Sequence, residues 1–217
     1  MTRTSPLLSA YPLSHFEHGV AHNTRIALRS NRGLPNPNYI ADISAIRRRL
    51  FVGAKAPGWL KERSVEVSDR LFEYRSLDKG ALVVRLHRQQ YLLIDSCGVS
   101  SYDALFELDE GRRADVLVLD YEAAEIACGG PYVADMLSEL CPMEIAAVTG
   151  TTWIATRLAH CEVAIRRQQN PMHIRINCAP ADARFLFGIL STIALERDGA
   201  VIGYDDFRAL LNNEDPA

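Results

Sequence analysis

Apolar residues recur along the chain with two periods, one near two and one near 3.6, and each period marks a different kind of element. Alternation over residues 25–29 predicts a short strand, and Gly33, Pro35 and Pro37 then predict a loop. Tyr39, Ile43, Ile46 and Leu50 fall at helical spacing and predict a helix with Arg47, Arg48 and Arg49 on its other, solvated faces. Residues 81–86 and 91–95 alternate as a strand pair around Arg88, Gln89 and Gln90, and a short helix follows over 101–108.

Beyond a boundary near Gly111 to Ala114 the plan repeats. Residues 116–119 and 123–127 are apolar enough for strands, and Gly129-Gly130-Pro131 predicts the start of a helix. Val133, Met136, Leu137 and Leu140 lie at i, i+3, i+4 and i+7, so that helix buries one face. Strands are predicted over 153–158, 162–166 and 173–178, with turns at Ala159-His160 and at Gln169-Asn170-Pro171. A long helix over 181–196 closes the unit with Phe185, Leu186, Ile189, Leu190 and Ile193 on its core side, and 202–211 adds one more helical turn or two. The predicted fold class is α+β: two pseudo-repeated split β-α-β (ferredoxin-like) halves, residues 1–110 and 111–217, with antiparallel sheets packed against helices in one compact unit. The first half includes a divergent, basic, loop-rich segment.

Composition narrows the class. A chain of 217 residues that is 48% hydrophobic and 24% charged can bury a sizeable core, and no apolar run approaches the roughly 20 residues that span a bilayer. Fibrous, disordered and helical membrane-spanning classes are excluded. The opening segment lacks the layout of a cleaved secretory signal, which predicts a cytoplasmic protein. Cys97, Cys128, Cys141, Cys161 and Cys178 lie 13 to 31 residues apart with no Cys-x-x-Cys pair, so they read as reduced, mostly buried thiols. The net charge of −3 conceals an asymmetry, +7 over residues 1–63 and −10 over residues 64–217.

Few constellations carry chemistry. His15, His18 and His22 with Glu17 would share one helix face that zinc could use, but Gly19 weakens such a helix and no fourth ligand is at hand, so no metal site is assigned. His160-Cys161-Glu162 contains the side-chain types of a nucleophilic site, yet consecutive strand residues point to opposite faces and cannot converge. Gly129-Gly130-Pro131 lacks the glycine spacing and the Lys-Ser/Thr of a phosphate cradle. Arg47-Arg48-Arg49 has no interleaved aromatics and sits in an acidic chain, which argues against nucleic acid. No catalytic residue is assigned.

Several segments resemble a known family in order and spacing. Residues 114–120, Ala-Asp-Val-Leu-Val-Leu-Asp, are similar to a family strand entering a turn, and Ile126-Ala127-Cys128-Gly129-Gly130-Pro131 is similar to its apolar strand followed by Ser-Gly-Pro-Asp. Leu140-Cys141-Pro142-Met143-Glu144 resembles Gly-Cys-Pro-Leu-Asp, and Gly150 with Thr156-Arg157-Leu158 resembles a Gly-x-x-x-x-Thr-x-Leu hairpin. Ser5-Pro6-Leu7 and residues 82–94 are more weakly similar, with His87 to Leu93 standing where the family has Gly-Pro-Asp-Glu-Trp-Leu-Leu, and residues 12–75 show no match. Over about residues 80–196 the chain thus resembles the folate-dependent aminomethyltransferase superfamily, and within it the shorter gamma subunit of heterotetrameric sarcosine oxidases.

That resemblance implies a non-catalytic subunit of a multi-subunit, flavin-containing oxidoreductase acting on sarcosine or a related N-methyl amino acid, within one-carbon metabolism. Its partners would be alpha, beta and delta subunits carrying FAD, FMN, NAD, zinc and a folate domain, with no cofactor in this chain. N-methylglutamate dehydrogenase complexes use a similar gamma-like chain. The family's acidic hairpin, Gly-Gly-x-x-Asp-Asp, corresponds here to residues 157–165, where Glu162 is the only carboxylate. The chain is also little more than half the length of a full aminomethyltransferase, so the barrel that completes the folate site is expected to be missing. The alternative is a stand-alone folate-binding or one-carbon-transfer protein of the same fold, for which Asp120, Tyr121 and Glu162 are the pocket candidates. For the subunit reading, residues 1–63 are the expected partner surface, because they combine the positive balance with Tyr11, Phe16 and Trp59.

Overall fold

The structure, a computed structural model, describes residues 2–31, 38–95, 101–113, 115–145, 150–168 and 173–213. The expected loop at Gly33, Pro35 and Pro37, the turn at Gln169-Asn170-Pro171, Ala114 and Cys97 lie outside the described residues. The chain forms two compact units, one of residues 1–45, 123–150 and 154–217 and the other of 46–122 and 151–153. The boundaries of these units do not follow the expected division at 110 and 111.

The N-terminal segment is built from β1 (Arg3–Thr4), β2 (Phe16–Ala21) and β3 (Thr24–Ser30), which form a three-stranded sheet in the order β1-β3-β2. His22 and Asn23 join β2 to β3 with φ of 45° and 62°, the two left-handed residues of a tight hairpin turn. This places His15 before a strand, His18 within it and His22 in the turn. The helix face expected for the three histidines does not form.

The helix expected over Tyr39 to Leu50 is instead two strands, β4 (Tyr39–Asp42) and β5 (Arg48–Val52). All four β4 residues are buried, so the strand has no polar face and its two-residue alternation disappears. What remains imitates helical spacing. The Asp42 carboxylate then accepts a hydrogen bond from the Ser44 N–H at 2.9 Å, a local turn that stops the strand.

From β5 onward the second unit adds α1 (Ala56–Lys61), β6 (Tyr74–Ser76), β7 (Leu82–His87), β8 (Gln90–Ile94), α2 (Asp103–Phe106), β9 (Gly111–Arg113) and β10 (Val116–Asp120). Its strands pair in the order β6-β7-β8-β5-β10-β9. Trp59 and Leu60 of α1 and Leu105 and Phe106 of α2 share a core with Phe51, Tyr91, Leu93 and Val118 of the sheet. Trp59, expected at a partner surface, is thus a core residue.

The chain returns to the first unit with β11 (Ala124–Gly129), α3 (Val133–Ser138), β12 (Ile154–Leu158), β13 (Cys161–Gln168), β14 (His173–Cys178), α4 (Pro180–Glu196), β15 (Ala200–Ile202) and α5 (Tyr204–Asn213). The strand order is β12-β13-β14-β11-β4-β15. The repeat expected from the sequence is present in topology, as β5-α1-β6-β7-β8-α2 and β11-α3-β12-β13-β14-α4. In each copy the last three strands run outward from the first in the same order. The neighbour on the far side is exchanged: β4, which precedes the first copy, pairs with β11, and β10 at its end pairs with β5. This exchange is why the units interleave in sequence.

Gly130 takes a φ of 107°, which glycine adopts without a side-chain clash, and the turn delivers α3 with Val133, Met136 and Leu137 in the core. Leu137 is fully buried. Leu137→Ala should therefore lower stability by about 2–5 kcal/mol in urea titrations, and a loss below about 0.5 kcal/mol would contradict this packing. On α4 the core side is Ala183, Leu186, Phe187, Leu190 and Ala194. Phe185, expected inside, is 57% exposed, and Ile189 and Ile193 are only half-buried, because the apolar stripe is wider than the buried one.

Candidate functional site

The six-stranded sheet of the first unit has two unlike faces. Ile126, Cys128, Val163, Ile165, Ile174 and Ile176 point into the core shared with α3 and α4. Successive strand residues alternate, so the other face carries Glu125 of β11, Arg166 of β13, and His173, Arg175 and Asn177 of β14. All five are buried, Glu125 at 2%, Arg166 at 3% and Arg175 at 1% exposure.

The strand register assembles these charges. Arg166 and Arg175 lie directly opposite each other on β13 and β14, and Asn177 lies opposite Glu125 on β14 and β11. Arg175 Nε donates to Glu125 Oε1 at 2.6 Å, and Arg166 approaches the same oxygen to 3.9 Å. One carboxylate thus sits between two guanidinium groups. Both terminal nitrogens of Arg175, and Nδ2 of Asn177, have no hydrogen-bond partner among the described residues. Ala127 and Ala164, opposite Arg175 and Asn177, are small and apolar, so neither side chain offers these donors an acceptor. At one end the Tyr39 ring lies across Gly129, where any side chain would collide with it, and Phe207 of α5 packs edge-on against His173 at 5.4 Å. A buried guanidinium with a free pair of parallel donors is chemically a receptor for a planar monoanion such as a carboxylate.

The residues singled out from sequence lie elsewhere. Asp120 is ion-paired with Arg49 in the second unit, beside the half-buried Tyr121, whereas Glu162 is in the first unit, 85% exposed, and pairs with Arg157 at 3.7 Å across its hairpin. The first two thus belong to one unit and Glu162 to the other. His160 and Glu162 are exposed while Cys161 between them is buried, as strand alternation requires. The three arginines are not a solvated helix face: Arg47 pairs with Asp95 at 2.5 Å and Asp103 at 2.6 Å, Arg48 donates to the Ile46 carbonyl at 3.0 Å, and Arg49 binds the Phe106 carbonyl at 3.0 Å as well as Asp120. Among the described residues no group of three His, Cys, Asp or Glu could hold a metal ion. Sequence reasoning missed Glu125, Arg166, Arg175 and Asn177, whose only signal was a polar or charged side chain set among the apolar positions of three strands.

The four described thiols are buried. Burial raises the Cys128 thiol and pushes Cys178 up to about 12, with Asp182 adding to the second. Burial, then Asp182, also raises Cys161. A group held protonated in the folded state stabilises it fully below its unfolded value near 8.5, and that stability is lost as pH rises from there toward 12. The unfolding free energy from urea titrations should fall between pH 8.5 and 11 by at most about 1.4 kcal/mol per pH unit for each such thiol. A thiol reagent should label Cys128 and Cys178 only after denaturation; full labelling of the folded protein at pH 8 would contradict this.

Neither protein-family models nor curated sequences match the chain. Among solved structures, the glycine cleavage system aminomethyltransferase T from Bartonella henselae superposes with a TM-score of 0.67 at 15% identity, over 97% of this chain and 61% of that one. The fold is that of the glycine cleavage T-protein. The chain spans 61% of the length of that aminomethyltransferase. A chain of the heterotetrameric sarcosine oxidase from Corynebacterium sp. U-96, in complex with pyrrole 2-carboxylate, superposes with a TM-score of 0.58 at 15% identity, over 90% of this chain and 96% of that one. At this identity the T-protein-like likeness concerns the fold.

Proposed function

We propose that the chain is a non-catalytic, gamma-type subunit of a multi-subunit flavin-dependent complex that oxidises sarcosine or a related N-methyl amino acid. The observation that carries this reading is the correspondence with a sarcosine oxidase chain over 90% of one and 96% of the other, where the T-protein is matched over only 61% of its length. The position of Glu162 agrees with it. An acid that works beside a folate nitrogen must be held in a closed site, and Glu162 stands in solvent on a hairpin. In this proposal the flavins, NAD, zinc and catalytic folate site belong to alpha, beta and delta partners, and this chain supports their assembly.

The test is isolation of the native protein with its partners. Co-purification with larger flavin-bearing chains is expected, together with no turnover of sarcosine or methylene-folate by the isolated chain. Turnover by the isolated chain would overturn the proposal. One observation favours a second reading, a stand-alone folate-binding or one-carbon-transfer protein: the free donors of Arg175 suit a carboxylate, which folates carry. Folate binding by the isolated chain that is lost in Arg175→Met would select it.

A further inference from the structure

The outer face of α4 is built unlike a solvated helix face. Opposite its buried side run Ala181, Phe185, Gly188, Thr192 and Leu195, spaced alternately by four and three residues. That spacing is the seam of a helix that packs on another helix. Phe185 and Leu195 are 57% and 59% exposed, and the face borders an open groove of about 730 Å³. Gly188 sits in the helix interior, where glycine costs about 1 kcal/mol relative to alanine, although a Cβ there would meet nothing within 4 Å in the single chain. The isolated chain therefore has room for a side chain at the centre of the seam, whereas a second helix backbone crossing there would need the space.

We propose that this face docks a second copy of the same chain, α4 against α4, antiparallel about a two-fold axis near Gly188. The seam is complementary to its own reverse. A two-fold at that point sets Ala181 opposite Leu195, Phe185 level with Ser191 beside Thr192, and Gly188 opposite itself, so each large side chain meets small residues and the backbones approach where neither has a side chain. The flanking charges agree. Arg184 lies toward the start of α4 and Glu196 is its last residue, and neither makes an ion pair among the described residues. A carboxylate at a helix C-terminus is disfavoured by the helix dipole. Antiparallel docking brings Arg184 of one copy within about one helical turn of Glu196 of the other, twice, by symmetry. A parallel arrangement would bring like charges together.

The test is the mass of the full-length chain in solution across protein concentration, by sedimentation equilibrium. A monomer–dimer equilibrium is expected. Arg184→Glu and Glu196→Arg should each weaken dimerisation by about tenfold, because each sets like charges against one another, and the double variant should recover most of the affinity by re-forming the pairs with their signs exchanged. Phe185→Glu should abolish the dimer with an unchanged circular dichroism spectrum, since Phe185 lies outside the core. A chain that stays monomeric up to about 100 μM, single variants that dimerise like the parent, or a double variant without recovery would each overturn the proposal. The inference does not rest on the subunit reading. A monomeric chain that still joins a flavin-bearing assembly through Phe185 would overturn self-docking alone, and a dimer that joins nothing would leave self-docking intact.

Discussion

Deleting residues 2–24 should abolish folding of the first unit. Leu7, Tyr11 and Phe16 belong to the core under the six-stranded sheet, and Leu7 and Tyr11 are almost completely buried. At roughly 1.5–3 kcal/mol for each fully buried side chain, their loss amounts to about 5–9 kcal/mol, against a total stability of roughly 5–15 kcal/mol for a typical domain. The deletion also removes β1 and β2, the two strands that flank β3. Ser5 Oγ would no longer donate to the Asp42 carboxylate, and the Asp42 N–H, which donates to Tyr11 Oη at 2.7 Å, would lose its acceptor on a residue that is 1% exposed. Far-UV circular dichroism and urea titration of the truncated chain provide the measurement. An unchanged midpoint and slope would show that the segment is an appendage.

The same contacts remove the aromatic ground on which residues 1–63 were expected at a partner surface. Residues 1–45 belong to the first unit and 46–63 to the second, and Tyr11, Phe16 and Trp59 are all core residues. Aromatics beside arginines describe a core ring capped by a surface arginine as well as they describe an interface, and the exposed Arg63 guanidinium, 3.7 Å from the buried Trp59 ring, is the former. Sequence alone does not separate the two.

Hairpins and long periodic helices were legible because their signals are local. The turn at Ala159-His160 has φ of 47° and 70°, β7 and β8 flank their turn as expected, and α4 was placed to within one residue of its start. The failures share one cause. β4 is buried on both faces, so its residues carry no alternation, and the helical spacing of Tyr39, Ile43 and Ile46 was an accident of that burial. The pseudo-repeat was visible, but the exchange of β4 and β10 was not, because a pairing between residues 39–42 and 126–129 leaves no trace in local pattern. The candidate site suffered in the same way. A charge alternating with isoleucine, as in His173-Ile174-Arg175-Ile176-Asn177, ordinarily marks a half-solvated strand, and only the tertiary structure reveals that the polar side is closed too.

Glu125 and Arg175 should respond unequally to substitution. Glu125→Leu leaves Arg166 and Arg175 facing each other in a buried environment without the carboxylate between them, and removing one partner of such a group costs about 3–5 kcal/mol. Arg175→Met costs less, because it also removes two buried nitrogens that have no partner and leaves Glu125 near Arg166. The free donors make a further distinction. A small carboxylate such as formate or acetate that reaches Arg175 binds only the folded state, so at ten times its dissociation constant it should add about 1.4 kcal/mol of stability and raise the melting temperature by roughly 3–6 °C for a chain of this size. Chloride at the same ionic strength separates this effect from general screening. The rise should vanish in Arg175→Met. Equal destabilisation by the two substitutions would show that Arg175 contributes to the ion pair alone, and a melting shift that persists in Arg175→Met would place the anion elsewhere.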